Sequence, residues 1–504
     1  MLMQRLRFIS LVAAAAMILG YVALLGGYLV NPIFFDHAEV QFPAVSWYFI
    51  HGHPLYNGLS DPEWYAEPYG PFAYAAQGLA MTVLGPSVFS AKLAGVAASL
   101  LVLAMAYLAA RQYASRELAL IVVGFLAAYW IGMSFTTISS RNDVWLLLFA
   151  IIGFWACARP GWTGAVIIAV ALGLSMNLKI HGPLYLLPVA GVALRRGMSW
   201  AKLFAVAGIA WLIFLLPFGL LPNMSLGNFV AELALSPMQG LDAGIFLKDF
   251  AWMFLMLAPL LAMVVLSQAN NPAATRNVLR RNWLTLAALV VSTTLVMLIA
   301  AKPGSGAPHL LPLSTVTVLA SLQLWRDGLD LTWRPSRWGV FAAILVVGAM
   351  VCCFSYGFFK IGEGFWSLRP SLTRRASAIE ADTQDILRRE GSGHLLLMGL
   401  GDANSYSDTF FRCQLVFGGM PIGLSTPTVM NRKLSHIPLP SLNLLRDSFA
   451  QRYPGKSIIW LIPKGAVPFS FVYDDKFRAD FNLHYVRFES TPCFDLYGER
   501  AIGH

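Results

Sequence analysis

The apolar and polar positions of this chain fall in long blocks. Apolar runs lie near residues 8–30, 90–110, 118–135, 143–158, 162–177, 182–194, 201–221, 249–268, 283–301, 309–325 and 337–357, with short polar stretches between them. A helix rises 1.5 Å per residue, so about 20 apolar residues cross about 30 Å of hydrocarbon. The runs therefore predict eleven membrane spans. Those at 162–177 and 182–194 are short, and together they would form a hairpin around residues 177–182. If they only dip into the bilayer, both drop out and the parity is unchanged. The apolar run Pro71–Leu84 is only about 14 residues long and reads as an interfacial or re-entrant helix.

The blocks stop at about Phe358. Residues 1–357 read as a multi-span domain with a long first outer loop, 31–90, and residues 358–504 as a separate soluble α/β domain. Within that domain, 371–390 has the spacing of an amphipathic helix, and 394–399 and 457–462 that of short buried strands. Ser441 is placed to cap a helix running to about Arg452.

Composition agrees with the pattern. Of 504 residues, 57% are apolar and 12% charged, against about 45–50% and about 25% in soluble proteins. Mean hydropathy is +0.62. These values exclude a plain cytosolic enzyme, a disordered chain and a fibrous repeat. The net charge of +10 does not point to nucleic acid, because the basic residues are scattered between apolar runs. Fourteen of them, from Arg5 and Arg7 to Arg337, fall at one set of span ends. Five fall at the other: Lys92, Arg141, Lys179, Lys248 and Lys302. The excess puts the N-terminus in the cytoplasm, and eleven spans put the C-terminal domain outside, in a multi-pass membrane protein. The first span exceeds the 7–15 residues of a signal h-region and reads as an uncleaved anchor.

Candidate chemistry gathers on the outer side. The first loop opens with Asp36-His37-Ala38-Glu39. Two carboxylates three residues apart lie on one side of a helical turn. They can share a proton, bind a cation, or divide the roles of base and orienter; a solvated, capped loop is the alternative. Arg141, Lys179, Lys248 and Lys302 break the topology bias at membrane depth, as suits a held anion, with a lipid-linked phosphate the natural candidate. Local pairing, such as Arg141 with Asp143 or Lys248 with Asp249, is the competing account. His309 closes the loop that starts at Lys302, and Gly304 and Gly306 would let its backbone approach an anion. His51 and His53, without a fitting third ligand, are a weak metal signal, and no cofactor is implied. Cys157, Cys352 and Cys353 lie in spans as packing. Cys413 and Cys493 both lie in the outer domain, where an oxidising compartment permits a disulfide, although the sequence does not show that they meet.

These features, taken in order, resemble the GT-C membrane glycosyltransferases, in particular bacterial proteins of the protein O-mannosyltransferase and aminoarabinose transferase type (glycosyltransferase family 39). The resemblance spans roughly residues 1–357. It rests on Asp36-His-Ala-Glu39, His53-Pro-Leu-Tyr56, Tyr69-Gly-Pro-Phe-Ala-Tyr74, Leu84-Gly-Pro-Ser-Val-Phe-Ser-Ala-Lys92, Ser140-Arg-Asn-Asp143, and Lys302 through His309-Leu-Leu-Pro312. It implies transfer of a sugar from a polyprenyl-phosphate carrier to a glycan, lipid or protein acceptor on the outer face. Asp36 would be the base, with Glu39 beside it; Arg141, Lys179, Lys302 and His309 would hold the donor phosphate; His37, His53, Tyr56 and Tyr69 would line the acceptor or donor pocket. Many members have adjacent Asp-Glu, whereas two residues intervene here. The alternative from another class is a polytopic transporter or lipid flippase with an outer-facing anion site; a non-catalytic membrane scaffold is a third.

Overall fold

The computed structural model describes residues 2–36, 39–65, 68–333, 336–399, 411–470 and 472–500; His37 lies outside them. Among the described residues eight helices are long and apolar enough to cross a membrane: Arg5–Val30, Val88–Arg111, Arg116–Met133, Trp200–Leu220, Ala243–Asn270, Trp283–Ala300, Ala307–Arg326 and Arg337–Ser367. Three shorter apolar helices, Asp143–Ala156, Gly161–Met176 and Gly182–Arg195, complete the eleven expected segments. This is a helical polytopic membrane protein. Pro71–Leu84 is a helix with Pro at its first turn, where a missing N–H costs nothing.

The chain divides into two compact units. The first comprises Met1–Gly26, Gly95–Pro217 and Gly240–Phe365; the second comprises Gly27–Ala94, Phe218–Gln239 and Trp366–His504.

Two glycines of the first unit allow close backbone approach. A Cβ on Gly182 would lie 2.4 Å from the Ser175 carbonyl oxygen, so this glycine closes the hairpin that carries Lys179. A Cβ on Gly95 would meet the Ser139 carbonyl oxygen at 2.5 Å, where the helix presses on the segment leading to Arg141. Small residues at such contacts are the usual packing device of membrane helices.

The last long helix runs ten residues past the expected end at 357. The sequence shows charge reappearing at Lys360 and Glu363, but these pair with each other one turn apart, at 2.8 Å, and Lys360 stands over the Phe135 ring. Pairing lets the helix continue.

The second unit contains a four-stranded mixed sheet. Its strands are β1 (His394–Met398), β2 (Ser457–Pro463), β3 (Tyr485–Ser490) and β4 (Phe494–Glu499), in the order β1-β2-β4-β3. β1 and β2 are parallel, and their crossover carries the helices Phe411–Phe417, Thr426–Leu434 and Leu442–Arg452. The other two pairings are antiparallel. Ser441 caps its helix by accepting from the Leu444 N–H, and the amphipathic helix extends over Pro370–Glu390. The core includes Leu397, Phe449, Trp460, Phe469 and Phe481, together with Trp64 from the first loop. Trp64 also joins this fold through its backbone: its N–H donates to the Gly423 carbonyl, and its carbonyl accepts from the Ser425 N–H.

Cys413 and Cys493, which the sequence left open as a possible pair, are both free thiols. Cys413 is buried, with its Sγ 3.0 Å from the Val40 carbonyl oxygen, whereas Cys493 sits in the turn between β3 and β4 and gives its N–H to Asp382. Each is committed to a different neighbour.

Candidate functional site

The second unit holds the Asp36–Glu39 turn. Glu39 is fully buried. It accepts the Tyr28 hydroxyl and, at 2.9 Å, the Phe35 N–H, while its own N–H donates to the Asp36 carbonyl. Lys92 is equally buried and donates to the carbonyls of Tyr28, Asn31 and Ile33 at 3.0, 2.7 and 2.5 Å. Its ammonium lies 3.9 Å from the Tyr28 ring centroid and within electrostatic reach of Glu39. A buried lysine with three carbonyl acceptors and an opposite charge nearby is satisfied by its surroundings. Glu39 and Lys92 therefore fix the turn. Asp36 is only half-buried and is the carboxylate that stays accessible.

The rest of the first loop is built on aromatics. His53 stacks flat on Tyr48, with centroids 3.6 Å apart, and its carbonyl accepts from Asn223. Burial, reinforced by Arg452 and His51, holds its imidazole below the usual range. Tyr56 is buried, and its hydroxyl donates to the Tyr69 carbonyl at 2.6 Å. The Tyr69 ring stacks on Phe42. His51 turns instead to the Trp47 carbonyl. Among the described residues no group of three His, Cys, Asp or Glu could hold a metal ion.

Glu63 lies almost wholly buried in this loop, paired with Arg452, and its Oε2 has no hydrogen-bond partner among the described residues. Burial lifts its carboxyl to about 7, against the pull of Arg452. The folded state thus keeps a proton that the unfolded chain has released. Stability is greatest below the unfolded pKa of about 4.5 and falls as pH rises to about 7, by up to about 3 kcal/mol. Thermal unfolding across that window measures the slope, and Glu63→Gln is expected to flatten it; a variant with the wild-type slope would remove Glu63 as its source.

The first unit holds the cations. Asp143 begins the helix Asp143–Ala156 and accepts from Lys179 Nζ at 2.8 Å, while Arg141 Nε lies 3.3 Å from its other oxygen. Asn142 donates to the Leu178 carbonyl, tying the two loops together. His181, two residues beyond Lys179, meets His309 with Nε2 and Nδ1 3.3 Å apart. Lys302 and Lys179 are within electrostatic reach of both imidazoles, and Arg141 of His309. Gly304 and Gly306, both at positive φ, turn the chain between Lys302 and His309. Burial first, and then Lys179, lowers Lys302 from its ordinary value. Burial together with Lys179 and Lys302 pushes His181 down to about 3.

Arg141, Lys179, Lys302 and His309 thus converge, as do the Arg141–Asp143 partners expected from local pairing. Arg141 and Lys179 both meet Asp143, and Lys302 lies within electrostatic reach of Lys179 and the two imidazoles. The sequence reading gave Lys92 and His181 no site role. The only signals were a lysine at the disfavoured membrane end and a histidine in a short polar hairpin loop.

Comparison with solved structures bears on the architecture. ArnT from Cupriavidus metallidurans, in its crystal structure bound to undecaprenyl phosphate, is similar with a TM-score of 0.52 at 12% identity, covering 97% of this chain and 98% of that one. Its apo form gives 0.53 at 12%, with 97% of each chain covered. The chain shares the ArnT fold. The Archaeoglobus fulgidus oligosaccharyltransferase is more distant, at 0.46 and 12% over 88% of this chain and 67% of that one. No family model and no curated protein matches the sequence. The likeness to ArnT runs through the small mixed-sheet domain as well as the spans.

Proposed function

We propose that this protein is a membrane glycosyltransferase that moves a sugar from a polyprenyl-phosphate carrier to an acceptor on the extracytoplasmic face of the plasma membrane. The N-terminus faces the cytoplasm, and the C-terminal domain faces outward. The observation that carries the reading is the gathering of Arg141 and Lys179 at Asp143 with Lys302 and the His181–His309 pair beside them. Support comes from the fold, shared with ArnT, which binds undecaprenyl phosphate.

In this mechanism Asp36 takes a proton from the acceptor hydroxyl or amine as that group attacks the anomeric carbon. The bond from that carbon to the phosphate oxygen breaks, and its electron pair stays on the oxygen. Arg141, Lys179 and Lys302 neutralise the charge that develops there, and such electrostatic stabilisation is commonly the largest catalytic term. Direct attack inverts the anomeric centre. Glu39 and Lys92 position the turn without touching the reacting atoms.

The test uses purified full-length protein, a panel of polyprenyl-phosphate sugars and acceptor-containing membrane extract, with released polyprenyl phosphate followed by mass spectrometry. Release from at least one donor is the expected result. Intact donor across the whole panel would overturn the proposal.

A further inference from the structure

The first unit gathers charge a second time, at helix ends remote from Asp143. Three pairs of neighbouring residues meet there. Gln112-Tyr113 follows the helix Val88–Arg111, Arg195-Arg196 closes the helix Gly182–Arg195, and Arg326-Asp327 closes the helix Ala307–Arg326. Each pair touches the other two. Arg196 Nη2 donates to the Tyr113 hydroxyl at 2.8 Å, Arg326 Nη1 donates to the Gln112 carbonyl, and Arg195 Nη2 lies 3.8 Å from Asp327 Oδ2. The contacts close a ring of six residues that holds three guanidiniums. Among the described residues Asp327 is the one carboxylate that pairs with them, and it also accepts from Asn282 Nδ2 at 2.9 Å. We propose that this ring binds the phosphodiester headgroup of an anionic membrane lipid.

A guanidinium carries five N–H donors in a planar fork that matches phosphate oxygens two at a time. Arg195, Arg196 and Arg326 are exposed. Among the described residues Arg196 and Arg326 each spend one donor, and Arg195 meets Asp327 beyond hydrogen-bond distance. Donors are therefore left over for a phosphate. The depth of the ring favours a lipid over a soluble anion. Trp200, four residues after Arg196, is 57% exposed, and Trp283, next to Asn282, is 60% exposed. Gln112 Nε2 donates to the Trp155 carbonyl at 3.2 Å, and Arg159 stands 4.0 Å over the Trp155 ring. Tryptophans collect at the headgroup level of a bilayer, and arginines beside them meet anionic headgroups at the same level.

The experiment mixes the full-length protein in detergent with equal amounts of phosphatidylglycerol and phosphatidylcholine of the same acyl chains, and counts bound lipid by native mass spectrometry. A cation beside an anionic headgroup contributes about fivefold, so three arginines against one aspartate should favour phosphatidylglycerol by about tenfold or more. Arg195→Gln with Arg196→Gln, at an exposed helix end, should fold and lose most of that preference. Asp327→Asn removes the opposing charge and leaves Asn282 an acceptor, so it should raise the preference by about fivefold. Arg276→Gln with Arg280→Gln, exposed on the helix Pro272–Arg281, should leave it at the wild-type value. Equal binding of the two lipids by the wild type would overturn the proposal, as would a fall in Asp327→Asn. Equal losses in the two double variants would show general surface charge instead of a site. Displacement of phosphatidylglycerol by millimolar inorganic phosphate at constant ionic strength would make the ligand a soluble anion, which also overturns the lipid assignment.

Discussion

Asp36→Asn lowers sugar transfer by about 10²–10⁴-fold, the usual contribution of a positioned general base, while the melting temperature stays near wild type. Asn keeps the shape of the side chain and loses only its capacity to accept a proton. The turn is held through Glu39, which accepts from the Tyr28 hydroxyl and the Phe35 N–H. Glu39→Gln removes the charge opposite the buried Lys92 and should lower both stability and turnover. Measuring release and thermal unfolding on the same preparations separates the two carboxylates. Wild-type turnover by Asp36→Asn would end its role as base.

Arg432→Met destabilises the protein by about 3–5 kcal/mol, the cost of leaving one partner of a buried ion pair uncompensated. Arg432 is 1% exposed and its partner Glu232 7%. The guanidinium also lies 4.4 Å from the Trp64 ring centroid and donates to the Leu59 carbonyl at 3.5 Å. Burial already raises the Glu232 carboxyl, and Arg432 opposes that rise. Without the arginine the rise is larger. The folded state then holds the Glu232 proton more strongly than the unfolded chain, so the deficit grows as pH climbs above the unfolded carboxylate pKa. Thermal unfolding should show a larger loss near pH 8 than near pH 5, and adding Glu232→Gln should recover part of it. An unchanged melting temperature in Arg432→Met would show that the pair contributes nothing net.

The sequence shows the membrane helices clearly because hydrocarbon thickness and backbone hydrogen bonding demand a run of apolar residues that nothing else in a chain mimics. It shows less where tertiary contacts decide. The helix Arg337–Ser367 passes through Lys360 and Glu363 because they pair, and hydropathy alone stops it too early. The three candidate phosphate cations could be picked out because each breaks the topology bias. Their convergence with His181 could not, since His309 is 128 residues further along the chain. Asp36 and Glu39 look equivalent as letters. Their difference arises when Tyr28, one turn from the end of the preceding helix, folds its hydroxyl onto one of them. The free thiols have the same origin, because Cys413 finds the Val40 carbonyl rather than Cys493.

The backbone pairing of Trp64 with Gly423 and Ser425 also sets a timetable for biogenesis. At about 5–20 residues per second, Trp64 leaves the ribosome roughly 20–70 s before its partners exist. Through that interval the first loop is already made, with a large indole awaiting its core. Ribosome stalling or a nonsense codon anywhere upstream of residue 423 therefore leaves the Asp36 loop unfinished, however well the preceding spans have inserted.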